Sequence, residues 1–276
     1  MDFPTAIGAG ASAAAVGGAL VALWQGARSI YWRTVGRRRA LRGNLDKLSL
    51  GVTQTYIEEL FGAAMFRRRA ERVGDRECVY RCCDAWLTIW YDQEDAVTLY
   101  SITVTDRRLA FGTKWLTNDR LDIALGVSAF GDVTEEPKTR SIYIGANFYR
   151  AGEGFYFGRP GRYLDYVLSC SNAGCGRISS HAANDQSLQD WQEDWRRPEL
   201  VPPKNRAELA AFRAETIIDT LTVTKLDEHH FADDVLQWVS QLAETTRPYR
   251  VSTSSEPAHR LTWVRRLALG RGGQTR

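Results

Sequence analysis

Residues 77–105 read ECVYRCCDAWLTIWYDQEDAVTLYSITVT, and this stretch decides the predicted fold. Polar and apolar residues alternate from Glu77 to Cys83, which is typical of a strand with one buried face. Ala85 to Tyr91 is apolar and aromatic, Asp92 to Asp95 is a polar turn, and Ala96 to Thr105 alternates again. Three strand-like segments separated by short turns predict an antiparallel meander.

A short amphipathic helix is expected immediately before this meander. Thr53 suits the N-cap, and Gly62 suits the residue after the last helical turn. Between them, one apolar stripe is formed by Val52, Tyr56, Ile57, Leu60 and Phe61. Helix and meander together predict a first α/β unit over residues 44–110.

The same order of elements returns later in the chain. Leu125 to Ser128 repeats the Leu50 to Thr53 helix start, and residues 155–170 predict a hairpin. Further on, the sequence favours a helix over 207–214, a strand over 216–224 and a helix over 231–245. We expect a second unit over residues 111–250, with this C-terminal strand and helix. The offsets of the echoes differ by about six residues, so a true repeat and coincidence both stay open.

The N-terminal segment from Ala6 to Trp24 carries no charged residue and is rich in Ala and Gly. About 20 apolar residues cross a bilayer, so residues 1–27 are predicted to be a membrane anchor. A cleaved signal peptide is an alternative, although no Lys or Arg precedes the span. A buried or disordered Ala/Gly helix is the third reading, because small residues also suit soluble packing.

Basic residues follow this span and none precedes it, which places the downstream body in the cytoplasm by the positive-inside rule. We expect a single-pass protein of the cell membrane, with residues 28–43 as a basic juxtamembrane segment and 251–276 as a flexible basic tail. Gly10, Ala14 and Gly18 could form an oligomer contact in lipid, or recur by chance. The predicted membrane and lipid contacts are Trp24, Arg28, Tyr31, Trp32, Arg33, Arg37, Arg38 and Arg39.

Two resemblances extend this interpretation. The LGVTQTYIEELFG helix with its meander is similar to units of beta-lactamase inhibitory protein and of small outer-membrane assembly lipoproteins. The apolar N-terminus, the YWRTVGRRR stretch and the LGV helix start resemble the ETEC-named bacterial domain family of unknown function, over most of the chain to about residue 224. These resemblances imply protein binding and bring no catalytic residues. The lipobox cysteine of the lipoproteins is absent from this N-terminus.

The sequence shows no catalytic, cofactor-binding or metal-binding motif that stands out. Five cysteines, two of them adjacent, do not form a secreted disulfide pattern and indicate reduced thiols. A zinc site would have to combine Cys78 and Cys82 with Cys170 and Cys175, against the simpler reading of inert thiols. His229 and His230 are adjacent, which is a poor arrangement for chelation on a helix.

The predicted fold class is therefore α+β: an N-terminal transmembrane helix, then helix-plus-antiparallel-meander units, one or two in tandem, and a C-terminal helix. The predicted function is non-enzymatic protein binding by a membrane-anchored body at the cytoplasmic face, with an unidentified protein partner and no cofactor. Two alternatives stay open. A nucleic-acid-binding module would use the basic arm, and a metal-dependent enzyme would use the cysteines.

Overall fold

The computed structural model describes residues 35–69, 76–144, 149–159, 162–179 and 203–225. These residues contain three α-helices and ten β-strands. The helices are α1 (Arg37–Leu45), α2 (Gln54–Phe61) and α3 (Pro203–Glu215). The strands are β1 (Phe66–Arg69), β2 (Arg76–Arg81), β3 (Ala85–Tyr91), β4 (Val97–Val104), β5 (Phe111–Gly112), β6 (Ala124–Leu125), β7 (Thr139–Ile144), β8 (Tyr149–Arg159), β9 (Arg162–Ser171) and β10 (Thr220–Thr224).

Eight of these strands form one antiparallel sheet in the order β1-β2-β3-β4-β10-β9-β8-β7. The strand that comes last in the chain, β10, lies in the middle and pairs with both β4 and β9. Strands β5 and β6 form a separate two-stranded ribbon. The centre of the sheet therefore depends on contacts between residues more than a hundred positions apart.

The predicted fold class is wrong in its arrangement of units. The structure is mostly antiparallel sheet, and the two meanders are parts of one continuous sheet rather than separate units in tandem. The physical reason is β10, whose register places Leu221 between Ile102 of β4 and Leu168 of β9. Local periodicity shows that a segment is a strand, but it does not show which strand will pair with it.

The predicted transmembrane helix is not found either. No helix among the described residues is long and apolar enough to cross a bilayer. This finding contradicts the expected single-pass topology and cell-membrane localisation, and both are withdrawn. The residues chosen as the anchor, 6–24, lie outside the described residues.

Several local predictions are confirmed. Helix α2 begins after Thr53, whose side chain accepts a hydrogen bond from the Tyr56 backbone N–H, and it ends at Gly62 with φ at +81°. Strand β3 (Ala85–Tyr91) has the bounds that the sequence predicts. The strand predicted over 216–224 begins four residues late, as β10 (Thr220–Thr224). The helix predicted over 231–245 lies outside the described residues.

The two faces of the sheet have different compositions. One row across β3, β4, β10 and β9 joins Leu87, Ile102, Leu221 and Leu168, and these belong to the main hydrophobic core. The next row joins Thr88, Ser101, Thr222 and Val167 and points to the opposite face, since side chains alternate along a strand. This second face is also buried, and its hydroxyls bond to one another, as in the 2.9 Å contact between Ser101 and Thr222.

The three helices contribute to the core on the aliphatic face. Leu41 and Leu45, one turn apart on α1, are buried in it together with Ile57 of α2. Phe212 of α3 joins the same cluster, and so do several residues of the long connection between β4 and β7. This connection and the loop after α1 both reach the end of the sheet where β4 begins, and there they form the rim of a cleft.

Candidate functional site

The cleft lies where β4 and β9 begin and β8 and β10 end. Its floor includes Tyr100, Val223 and Tyr166, which are paired neighbours on β4, β10 and β9. Because the three residues occupy one row, their side chains emerge on the same face of the sheet. The cavity has a volume of about 920 Å³ and opens to solvent. We call it the aromatic cleft.

The loop after α1, residues 46–51, forms one side of the rim. Gly51 has φ at +81° and donates its N–H to the Val97 carbonyl at 2.8 Å, which ties the loop to the start of β4. Such a φ favours glycine because it has no Cβ. The loop therefore holds Lys47 and Leu50 at a defined position beside the floor.

A turn over residues 114–119 forms the facing rim and presents a tryptophan. The Thr117 hydroxyl donates to the Thr113 carbonyl at 3.1 Å and accepts from the Leu121 N–H at 3.1 Å, which fixes the base of the turn. Asn118 and Asp119 have φ values of +51° and +64°, a conformation that Asn and Asp tolerate better than most residues. Trp115 lines the cleft with 76% of its surface exposed.

The floor contains a buried tyrosine hydroxyl beside the Asn118 side chain. Tyr166 is fully buried, and no described group meets the geometry of a hydrogen bond to its hydroxyl. Burial raises the pKa of Tyr166, and the neighbouring Asn118 side chain opposes part of this rise. Burial also raises the pKa of Tyr100, with a smaller contribution from Tyr166. Both phenols are therefore protonated at neutral pH and can donate hydrogen bonds.

Ring stacking holds the β8–β9 side of the cleft in place. Phe157 stacks on Tyr166 with ring centroids 4.2 Å apart and planes inclined by 11°. Tyr156 stacks on Tyr163 at 5.2 Å, and Lys138 lies 4.3 Å from the Tyr156 ring. Stacked aromatic pairs contribute about 0.5–1.5 kcal/mol beyond the area they bury. The stacked Phe157 ring therefore restricts the orientation of Tyr166 in the floor.

The charged residues of the lining are mainly basic. Four are basic, namely Lys47, Lys114, Arg159 and Lys225, and two are acidic, namely Asp46 and Asp119. Lys114 pairs with Asp122 at 3.2 Å, and Lys225 lies 3.8 Å from Asp92. Within the described ranges, Lys47 and Arg159 have no acidic partner. With Asp122 and Asp92 included, four basic and four acidic side chains lie in and beside the cleft, so their formal charges balance.

Beyond the row that forms the cleft floor, from Glu153 towards the far end of the sheet, buried charges are paired. Glu153 of β8 meets Arg213 of α3, with Nε 2.8 Å from Oε1 and Nη2 donating to Oε2 at 3.1 Å. Arg140 of β7 donates to Oε1 at 3.3 Å. Burial raises the pKa of Glu153, and the two arginines oppose this rise. The contacts form a closed polar cluster inside the core.

A second buried carboxylate, Asp219, lies just before β10. Its Oδ2 accepts from the N–H of Gly176 at 3.0 Å and of Ser171 at 3.3 Å, and its Oδ1 accepts from the Thr220 hydroxyl at 2.8 Å. Burial raises its pKa to about 7, against these hydrogen bonds, which lower it. A Cβ at Gly174 would overlap this carboxylate, so the loop fits tightly around it. We call this end, with Glu153 and Asp219, the closed end.

The cysteines do not come together as a metal site in the part of the chain that the structure describes. No group of three or more His, Cys, Asp and Glu side chains there could hold a metal ion. All five cysteines are free thiols. Burial raises the pKa of every one, to about 12 for Cys82 and Cys175. Thiols held in this protonated form are poor nucleophiles.

The predicted lipid-contact residues divide into two groups. Arg37, Arg38 and Arg39 belong to α1, and the remaining five (Trp24, Arg28, Tyr31, Trp32 and Arg33) lie outside the described residues. Arg38 donates from Nε to Asp84 at 2.7 Å and lies 3.4 Å from Asp106, which ties α1 to the segments before β3 and after β4, at the open end of that hairpin. Arg37 and Arg39 are exposed.

The aromatic cleft was missed by the sequence analysis. Tyr100 and Tyr166 follow strand patterns that do not distinguish a floor residue from a core residue. Trp115 carried a weak signal, because it is an aromatic residue in a short polar turn, and binding residues are often found on loops. Comparison of the chain with protein-family models, with curated proteins and with solved structures finds no match.

Proposed function

We propose that this protein is a binding protein whose aromatic cleft receives a short segment of a partner protein. The observation that carries the proposal is Trp115, a large apolar side chain held 76% exposed beside a cavity with a buried tyrosine hydroxyl in its floor. Tryptophan is among the residues most enriched at the energetic centres of binding sites.

The composition of the lining supports recognition of a peptide segment. Tryptophan, tyrosine and arginine are the residues most enriched at the energetic centres of protein interfaces. Trp115, three tyrosines and Arg159 all line the cleft. Its volume of about 920 Å³ is enough for a few residues of a partner. Rigid support by stacked rings lowers the entropy lost on binding.

Selection from a library of random peptides displayed on phage tests this proposal. The full-length protein should enrich a family of related peptides. Trp115→Ala should abolish the enrichment, because it removes the apolar wall of the cleft. Met65→Ala is a matched control, since Met65 is an exposed apolar residue outside the cleft and is 45% exposed. No enrichment, or enrichment that Trp115→Ala leaves unchanged, would contradict the proposal.

A further inference from the structure

We propose, independently of the binding function above, that residues 231–245 of this chain pack as a helix on the second face of the sheet. This is the face opposite the main hydrophobic core. Two neighbouring rows of it are Val79, Thr88, Ser101, Thr222 and Val167, and Trp90, Leu99, Thr224 and Asp165. Residues 226–245 lie outside the described residues.

The second face is buried, so a layer of protein must cover it. The apolar side chains of Trp90, Leu99 and Val167 are each no more than 4% exposed. On a sheet face open to water they would be exposed, because side chains stand roughly perpendicular to the sheet. Trp90, Thr224 and Asp165 also take part in contacts beyond those within the described ranges. A sheet buried on both faces needs packed elements on each side.

The described helices cover the other face. Their buried apolar side chains all belong to the main core, namely Leu41, Leu45, Ile57 and Phe212. On the second face, the loop after β9 reaches one corner, where Ala173 packs with Val79 and Trp86. Leu99 and Val167 are buried but belong to neither of these clusters of described residues. The cover over the middle of the second face therefore comes from outside the described ranges.

The course of the chain selects the segment after β10. Strand β10 lies in the middle of the sheet and ends at Thr224, so the chain leaves the sheet between β4 and β9. Residues 226–230 can span about 17 Å, which is enough to turn onto the second face. A helix over 231–245 would be about 22 Å long, and β4, with 8 residues, measures about 26 Å. Such a helix can therefore run back along the central strands.

The N-terminal segment before α1 is the competing occupant. It leads into a helix whose Leu41 and Leu45 are buried in the core on the other face. The segment after β10 starts from the strands that need the cover, and connections between neighbouring elements are usually short. This proximity favours residues 231–245.

The sequence of residues 231–245 has the pattern that this position requires. At 100° per residue one apolar stripe is formed by Val235, Leu236, Val239 and Leu242. Asp233, Gln237 and Glu244 fall on the opposite side of the predicted helix. A helix with one apolar and one polar side is typical of an element packed between a core and water.

The centre of the second face can accept this apolar stripe. Thr88, Ser101 and Thr222 place short side chains there, which lets a helix approach closely. The hydroxyls of Ser101 and Thr222 lie 2.9 Å apart, and one donates a hydrogen bond to the other. An apolar cover therefore does not leave them unbonded, and burial of a hydrogen-bonded polar group costs little.

Photo-cross-linking of the full-length protein tests the proposal. The photoreactive amino acid benzoylphenylalanine is placed at Val239, in the apolar stripe, and in a second sample at Gln237, on the opposite side, as the matched control. After irradiation, mass spectrometry should show position 239 joined to β3, β4, β9 or β10 and position 237 joined to none of them. Cross-links from position 239 to α1, α2 or α3, to the N-terminal segment or to a second molecule would overturn the proposal, and so would the absence of any cross-link.

Two charge variants give a second measurement. Val239→Asp should raise the equilibrium constant for unfolding at least about tenfold, because it buries a charge without a partner. Gln237→Asp should change this constant less than about threefold, since it alters only the water-facing side. Urea unfolding of the full-length variants measures both, and failure of Val239→Asp alone to fold is the extreme of the expected result. Equal effects of the two substitutions would contradict the packing of this helix on the second face.

Discussion

The two ends of the sheet handle buried polar groups in opposite ways. At the closed end, Glu153 and Asp219 have their oxygens occupied by arginines, backbone N–H groups and a hydroxyl. At the aromatic cleft, the Tyr166 hydroxyl has no such contact among the described residues, and Arg159 has no acidic partner. The same strands, β8, β9 and β10, run through both ends.

We infer from this difference that the closed end stabilises the fold and that the aromatic cleft binds a partner. A buried charge that is fully paired contributes to a single native arrangement, and removing one partner is strongly destabilising. A buried polar group without a partner opposes folding, so its removal should not destabilise the protein. Substitutions at the closed end should therefore affect the free energy of unfolding, and substitutions at the cleft should affect binding. The following predictions test that division, from the largest expected effect to the smallest.

Glu153→Gln should have the largest effect on stability. It leaves the guanidinium groups of Arg140 and Arg213 without a counter-charge in the core, at a cost of about 3 kcal/mol or more. Glu135→Gln is the matched control, because its pair with Arg120 is exposed and should be worth less than about 1 kcal/mol. Urea unfolding measures both values, and equal losses would remove the distinction between the two ends.

Asp219 should make the protein less stable as the pH rises. Its pKa of about 7 in the folded state lies above its ordinary value, so the folded protein holds this proton more tightly than the unfolded chain. Its contribution is present at low pH and is lost between about pH 4 and pH 7, at no more than about 1.4 kcal/mol per pH unit. Asp219→Asn should flatten this part of the stability profile. An unchanged slope in the variant would show that another group is responsible.

Gly174→Ala should destabilise the closed end by about 1–3 kcal/mol through overpacking against Asp219. Gly43→Ala is the comparison, because a Cβ at Gly43 meets nothing within 4 Å and the residue lies inside α1. That variant should gain about 0.5–1 kcal/mol from helix propensity. Thermal unfolding of the two variants should shift in opposite directions, and a loss in both would contradict the packing described for Asp219.

The smallest expected changes in the free energy of unfolding come from two buried tyrosines, Tyr80 and Tyr166. The Tyr80 hydroxyl lies 2.9 Å from that of Tyr91, so Tyr80→Phe should cost about 1–2 kcal/mol. Tyr166→Phe removes a buried hydroxyl that has no hydrogen bond of proper geometry among the described residues, so this variant should lose no stability and should gain up to about 1 kcal/mol. Chemical unfolding at neutral pH distinguishes the two. A large loss from Tyr166→Phe would mean that its hydroxyl stabilises the fold.

Local elements were predictable from the sequence, whereas their assembly was not. Strand β3 and the caps of α2 follow from alternation, from a threonine at the start and from a glycine at the stop. The place of β10 between β4 and β9 depends on pairing over more than a hundred residues, which periodicity does not encode. The closed end was missed for the same reason, because Glu153, Arg213 and Asp219 meet only after the sheet has formed.

The basic stretch makes contacts within the chain that the sequence did not predict. Arg37, Arg38 and Arg39 follow an uncharged segment, and that order favoured a membrane-facing role. In the structure, Arg38 binds Asp84 and Asp106 of the chain itself, and Arg42 donates to the Leu109 carbonyl at 2.6 Å. Basic residues near an apolar segment therefore also serve to attach a helix to a sheet, which composition alone does not reveal.

Mapping of a bound peptide by NMR tests the division of the two ends most directly. The ¹⁵N-labelled protein is titrated with a peptide obtained from the phage selection described under the proposed function. We expect chemical-shift changes to cluster in residues 46–51, 114–119, 162–166 and 223–225, with little change in 150–154 and 212–219. Changes centred on Glu153 and Asp219, or spread evenly over both ends, would contradict the assignment of binding to the aromatic cleft.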